Sequence, residues 1–196
     1  MGYLNYYLVE FHDIDFLSAF SIIFLRYSTK KIGKIMKACF IGHRTIEKTE
    51  ELKSLLRETA VTLINKGVTA FLFGSMSAFD TLSWEAVTEL KKAYPYIKRV
   101  YVRSAYQQIG GFYEEYLLKF YEETYFPQKI ENAGKGSYVE RNYEMIDQSA
   151  YCVFYYNERY SVPQKRRSLS ARRNSGTKIA YQYAQRKKKE IINLYK

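Results

Sequence analysis

The chain reads as an α/β protein of three layers, a mostly parallel central sheet with helices on both faces. Three observations predict it. From Lys37 onward, apolar runs rich in Val, Ile, Phe and Tyr alternate with stretches whose apolar residues recur at helical spacing, the signature of βα units. Residues 151–156 (YCVFYY) are apolar almost throughout, as a central strand covered on both faces has to be. Residues 68–80 (VTAFLFGSMSAFD) pass from a buried-type strand through Gly74 and small residues into an amphipathic pattern, the kind of joint at which open α/β sheets collect ligands.

Taken in order, residues 37–41 form the first strand, ending in Gly42-His43-Arg44. Leu52, Leu55, Leu56, Ala60, Leu63 and Ile64 then line one side of a helix that Asn65-Lys66-Gly67 closes. After the second strand and its loop, Asp80 is placed to cap a helix with Leu82, Ala86, Val87 and Leu90 facing in. Residues 96–102 follow Pro95 as a third strand, and Gly110-Gly111 break the chain. Residues 112–125 read as an aromatic-rich helix whose stripe of Phe112, Tyr113, Tyr116, Leu117, Phe120 and Tyr121 packs in the core. Residues 126–137 are loop-like, with Asn132-Ala133-Gly134 and Gly136 as breakers. Ser137 caps the next helix, whose apolar side is Tyr138, Val139, Met145 and Ile146, with Glu140, Arg141, Asn142 and Asp147 as polar positions. Past the 151–156 strand, residues 160–173 form a Pro-, Ser- and Arg-rich loop. Residues 174–177 (NSGT) open a last helix with Ile179, Ala180, Tyr183 and Ala184 inward; Lys187-Lys188-Lys189 end it, and residues 190–195 return as a strand.

Residues 1–35 stand apart. Their apolar stretch, 14–25 (IDFLSAFSIIFL), is shorter than the roughly 20 residues of a membrane span. Acidic Glu10, Asp13 and Asp15 lie ahead of or at its start and no small-residue cleavage site follows, which argues against a signal peptide. We expect an N-terminal extension outside the natural domain, with Met36 the start of a domain at residues 36–196. The 196-residue chain is 47% apolar and 26% charged, the balance of a soluble globular protein. Cys39 and Cys152 sit in apolar runs, so buried, inert thiols are expected rather than a metal site or a secreted disulfide framework. The net charge of +11 is concentrated at one end: residues 165–196 hold eleven Lys/Arg and one Glu. Such an end is either a solvated surface or an unspecific attractor of nucleic acid.

The chemistry-bearing residues fall at strand-to-helix joints. A helix start leaves N–H groups unpaired beside a partial positive charge, and phosphate satisfies both. Gly74 and Ser75 at one joint and Ser175, Gly176 and Thr177 at another suit that role. Gly42, His43 and Arg44 add a donor-rich edge, and Arg44 or Arg141 can supply charge-assisted hydrogen bonds. Asp80 and Asn142 either contact a sugar or base or serve as cap and brace. In a parallel sheet these joints share the carboxyl edge, and their convergence is the geometric expectation on which a site depends.

Four of these segments, FIGHR at 40–44, FGSMSAFDTLSWE at 73–85, YVERNYEMID at 138–147 and NSGTKIAYQYA at 174–184, occur in the order seen in the SLOG superfamily. Over about residues 37–195 the chain most resembles its bacterial DUF1273, YpsA-like proteins. The resemblance implies a Rossmann-like fold, a cytoplasmic location and a nucleotide or nucleotide-derived ligand rather than a metal or permanent cofactor. The wider superfamily includes the LOG-type, "lysine decarboxylase-like" phosphoribohydrolases, which cleave the base from a nucleoside monophosphate. Their Glu-Arg-x-x-x-Met motif matches Glu140, Arg141 and Met145. Their second motif is reduced here to Ser175-Gly176-Thr177, with Ala180 where its carboxylate stands. Alanine cannot move a proton or steady an oxocarbenium-like sugar.

The expected function is therefore a sensor or regulatory module that binds a small nucleotide-like ligand, without a membrane partner and compatible with a homo-oligomer. Two alternatives stay open. One is N-glycosidic hydrolysis, for which Glu140, Asp80 and Glu85 are the candidate carboxylates. The other is unspecific nucleic-acid association through Arg166, Arg167, Arg172, Arg173 and Lys187-Lys188-Lys189.

Overall fold

Strand β1 (Met36–Gly42) runs through the middle of the sheet, and its alternate side chains feed two separate cores. Residues 35–74, 77–104, 111–130, 133–160 and 175–196 are described in the computed structural model of the chain, apart from the Lys135 side chain. The expectations for the N-terminal extension, Ser75 and the basic loop at 161–174 lie outside the described residues. Strands β2 (Val68–Phe73), β3 (Lys98–Val102), β4 (Glu123–Tyr125), β5 (Tyr151–Tyr155) and β6 (Glu190–Asn193) complete a six-stranded sheet in the order β4-β3-β2-β1-β5-β6. Every pairing is parallel. Five helices connect them: α1 (Glu50–Asn65), α2 (Ala78–Leu90), α3 (Gly111–Leu118), α4 (Ser137–Gln148) and α5 (Gly176–Arg186). The fold is thus Rossmann-like, in three α/β/α layers.

The two-residue period of the strands separates the layers. Ala38, Phe40, Phe71, Phe73 and Val153 face one way and pack with Leu56, Leu63, Phe79 and Val87 of α1 and α2. Cys39, Ile41, Leu72, Val102, Cys152 and Phe154 face the other way, with Met145 and Ile146 of α4 and Ala180 and Ala184 of α5. Phe40 stacks on both Phe71 and Phe73, at 5.9 and 5.5 Å between centroids. The two cysteines lie opposite one another in the β1–β5 register, as buried free thiols. Burial, together with the neighbouring Cys152, pushes the Cys39 thiol well up, so Cys39 is not a ready nucleophile.

Local signals explain most boundaries. Thr49 caps α1 by accepting from the Leu52 N–H, and Gly67 leaves that helix at φ +96°, a left-handed position that favours glycine. Several expectations need correction. The helix expected over 112–125 stops at Leu118, because the next residues serve the sheet: Glu122 takes a forked bond from Arg99 (3.1 and 2.7 Å), and Glu123–Tyr125 becomes edge strand β4. With the helix cut short, its aromatic stripe is core only in part: Tyr113 and Tyr121 pack against the core beside Leu117, and the rest does not. Phe112 is 87% exposed, Tyr116, Leu118 and Phe120 are exposed, and only Leu117 is buried. The caps also differ: Ser77 rather than Asp80 caps α2, and Gly136 rather than Ser137 precedes α4. Two short 3₁₀ turns, Gln128–Ile130 and Gly134–Gly136, occupy the stretch expected to be loop. Among the described residues no helix is long and apolar enough to cross a membrane.

Chain order places the carboxyl edge of the sheet. The strands step outward from β1 to β4, then β5 returns to the other flank of β1. The switch point lies between the carboxyl ends of β1 and β5, and every strand-to-helix joint shares that edge.

Candidate ligand-binding site

The start of α2 is built by a reciprocal pair. The Ser77 hydroxyl oxygen accepts from the Asp80 N–H at 3.1 Å, and the same hydroxyl donates to Asp80 Oδ2. Ser77 is thus the N-cap, and its hydroxyl also holds the Asp80 carboxylate at the helix start. Asp80 is 5% exposed, and its carboxylate sits in the first turn, where the helix dipole favours negative charge. Ala78 N–H donates to the Arg44 carbonyl at 3.0 Å, which ties the exit of β1 to this helix start.

Arg141, from the first turns of α4, reaches over the end of β2. A Cβ on Gly74 would stand 2.6 Å from both Arg141 Nε and Met145 Sδ, so the glycine is what lets the guanidinium and thioether lie against the strand end. Arg141 is 5% exposed. Its Nε and Nη2 donate to Asn142 Oδ1 at 3.2 and 3.0 Å, Nη1 to Ser104 Oγ at 3.4 Å, and the Tyr138 ring lies 5.6 Å from its Cζ. Burial lowers its proton affinity, while the nearby charge of Asp80 works to raise it. An arginine stays charged even so. The site therefore holds a desolvated cation whose hydrogen-bond acceptors, Asn142 and Ser104, are neutral.

The end of β3 adds a second layer. Arg103, also buried, pairs through Nη1 with Glu114 Oε2 on α3 at 3.3 Å, and its N–H extends the sheet by donating to the Tyr125 carbonyl at 2.9 Å. Burial pushes the phenols of Tyr101 and Tyr121 up, and the Asp80 charge adds to the effect. Both remain protonated at neutral pH.

At the switch point the picture differs. Gly42 is not an anion cradle: an added Cβ would fall 2.4 Å from the Phe79 ring, so this glycine makes room for a core side chain. His43 is 2% exposed and accepts at Nε2 from the Asn157 N–H at 2.9 Å. Arg44 is exposed. On α5, Ser175 is the cap, accepting from the Lys178 N–H at 3.1 Å; Gly176 is exposed and Thr177 buried.

The structure thus brings Gly74, Asp80, Arg141 and Asn142 together, and places Gly42 and His43 at the neighbouring strand end. Glu85 is elsewhere: it lines an exposed groove between α1 and α2 with Lys53, Arg57 and Glu89. Glu140 precedes Arg141 on α4 and is partly exposed. Of the basic C-terminal residues, Lys187 is engaged with Asp147 at 3.3 Å. Sequence reasoning overlooked Arg103, Ser104 and Asn157. The signal for Arg103-Ser104 was present, since they follow a strand directly, as His43 and Gly74 do. Among the described residues no group of three His, Cys, Asp or Glu side chains could hold a metal ion. A scan of protein-family models and a search of curated proteins found no match to this chain, which leaves the SLOG resemblance resting on its four motifs.

Proposed function

We propose that the protein binds a nucleotide or another phosphorylated nucleoside derivative at the carboxyl edge of its sheet, as a sensor or regulatory module. One observation carries this reading: the buried Arg141 guanidinium lies against Gly74, where β2 hands over to the N-terminus of α2. Phosphate is stabilised by positive charge in a desolvated place, and this joint offers a buried guanidinium beside a helix start, whose dipole favours an anion. Asp80, an acceptor when ionised, suits a ribose hydroxyl or a base N–H, and the Tyr101 phenol is a donor nearby. Binding rather than hydrolysis is favoured because Ala180 is buried on α5 where the LOG-type motif carries its acid. A nucleotide ligand together with two free cysteines fits a cytosolic protein.

Isothermal titration of the full chain against nucleoside mono-, di- and cyclic phosphates, with the unphosphorylated nucleosides as controls, tests this. The expected result is saturable binding of at least one phosphorylated compound, no binding of its nucleoside, and a loss of affinity of about tenfold or more in Arg141→Met. A folded protein that binds none of the panel, or binds nucleoside and nucleotide alike, contradicts the proposal.

A further inference from the structure

One histidine ring ties the segment after β5 to the end of β1. The His43 N–H donates to the Tyr155 carbonyl at 3.4 Å, carrying the β1–β5 pairing one residue past the strand. Its Nε2 takes the Asn157 N–H at 2.9 Å and lies 3.3 Å from the Asn157 carbonyl oxygen. Tyr160 stacks on the imidazole, with centroids 3.8 Å apart at 16°, and Tyr156 stands 5.9 Å away. Asn157 is also the hub of the following turn. Its carbonyl accepts from the Tyr160 N–H at 3.1 Å, and its Oδ1 from the Arg159 N–H at 2.8 Å. Residues 156–159 form one wall of a groove of about 670 Å³, which Tyr181, Gln182 and Gln185 of α5 also line.

An imidazole nitrogen accepts an N–H only when it carries no proton. Nε2 is therefore bare and the proton sits on Nδ1, in the neutral ring. Nδ1 is buried and has no hydrogen-bond partner among the described residues. Among the described residues, charged side chains on the surrounding elements are Arg44, next in the chain, Glu158 and Arg159 on the turn, and Asp80 and Lys178 at the starts of α2 and α5. None of them sets its proton affinity. Burial lowers that affinity below the ordinary value of 6.5, and the Asn157 backbone only partly opposes it.

We propose that His43 is a proton-operated latch on the turn at residues 156–160, closed while the imidazole is neutral and released when it is protonated. A proton added at Nε2 points at the Asn157 N–H, so two donors face each other across 2.9 Å and the bond is lost. The nearest acceptor for the new N–H is the Asn157 carbonyl, which already serves Tyr160. That oxygen is already within reach at 3.3 Å, so the displacement comes from the Asn157 N–H, which has to move off the nitrogen it has lost, and the Arg159 and Tyr160 bonds, the ring stack and the groove wall move with it. Because the folded ring holds its proton less tightly than the unfolded chain, the closed latch contributes its full stability above pH 6.5 and loses it as pH falls through the folded value. The latch is independent of what binds beside Arg141.

The test is an NMR titration of the full-length protein from about pH 8 to about pH 5, following the His43 ring and the Asn157 amide. Both are expected to titrate with one shared midpoint below 6.5. His43→Gln, which can still accept an N–H but takes up no proton in this range, is expected to flatten the Asn157 curve. If that variant does not fold, Tyr160→Leu serves instead: it uncovers the ring and is expected to raise the His43 midpoint toward 6.5. The proposal is overturned by an Asn157 amide that stays still while the ring titrates, by a ring midpoint at or above 6.5, by an Asn157 curve unchanged in His43→Gln, or by a midpoint unmoved in Tyr160→Leu.

Discussion

Gly42→Ala separates a packing role from a binding role for the first glycine joint. The added Cβ would fall 2.4 Å from Cγ and Cδ1 of Phe79 and 2.7 Å from its Cβ. Carbon atoms in contact prefer roughly 3.5–4.0 Å, so something has to move by about 1 Å. Swinging the ring does not suffice, because the close atoms include the stem of the side chain. Phe79 is fully buried, with Tyr155 at 5.7 Å and Phe40 at 6.4 Å between centroids, so α2 or the end of β1 must shift. Overpacking of this kind costs about 1–3 kcal/mol, and the backbone involvement points to the upper half of that range. For a chain of this size that corresponds to a fall in Tm of about 4–12 °C. Chemical denaturation and thermal unfolding measure it. The double variant Gly42→Ala with Phe79→Leu isolates the contact: the smaller side chain is expected to recover part of the loss, giving a coupling of about 1 kcal/mol or more. A Gly42→Ala protein within about 0.5 kcal/mol of the parent refutes the packing role, as does strict additivity in the double variant.

Other expectations follow from single contacts. Ser77→Ala removes the α2 cap and a hydrogen-bond donor to Asp80, and should destabilise by about 1–2 kcal/mol in urea unfolding, with Ser77→Thr restoring part of it. Gly74→Ala should weaken nucleotide binding with little further loss when combined with Arg141→Met, since both act on the same guanidinium; titration calorimetry reads the non-additivity. Burial alone would raise the Glu122 carboxyl, but the Arg99 side chain, the Arg99 N–H and the charge of Lys91 outweigh it and hold the group at about 2. Its folded value lies below the unfolded 4.5, so its contribution to stability is present above pH 4.5 and lost as pH falls toward about 2. Arg99→Met should flatten that part of an acid-unfolding curve. Thiol titration with an aromatic disulfide should find neither cysteine reactive in the folded domain and both reactive after denaturation.

The architecture was legible because it depends on local pattern. Strand and helix periods, the Gly67 exit and the run of apolar residues through β5 each follow from residues close in sequence. Errors arose where distant residues decide. Nothing within 119–125 says that Arg99 will claim Glu122 and that Glu123–Tyr125 will add to β3, so the helical aromatic pattern was followed too far. The cap of α2 was a different kind of miss: Ser77 and Asp80 stand at capping-box spacing, and the acidic partner was taken for the cap. At the site, Asp80 and Arg141 were nominated for their chemistry, yet their meeting above Gly74 is a product of crossovers between separate βα units. Gly42 shows the converse, a glycine at a ligand edge whose space is filled by the core.

A structure of the protein soaked with a nucleoside monophosphate tests the central claim most directly. The phosphate is expected at the start of α2, with an oxygen about 3 Å from an Arg141 guanidinium nitrogen and the sugar or base within reach of Asp80. A phosphate bound instead in the Glu85 groove or on exposed lysines, with Arg141 still turned to Asn142 and Ser104 and no ligand above Gly74, would contradict it.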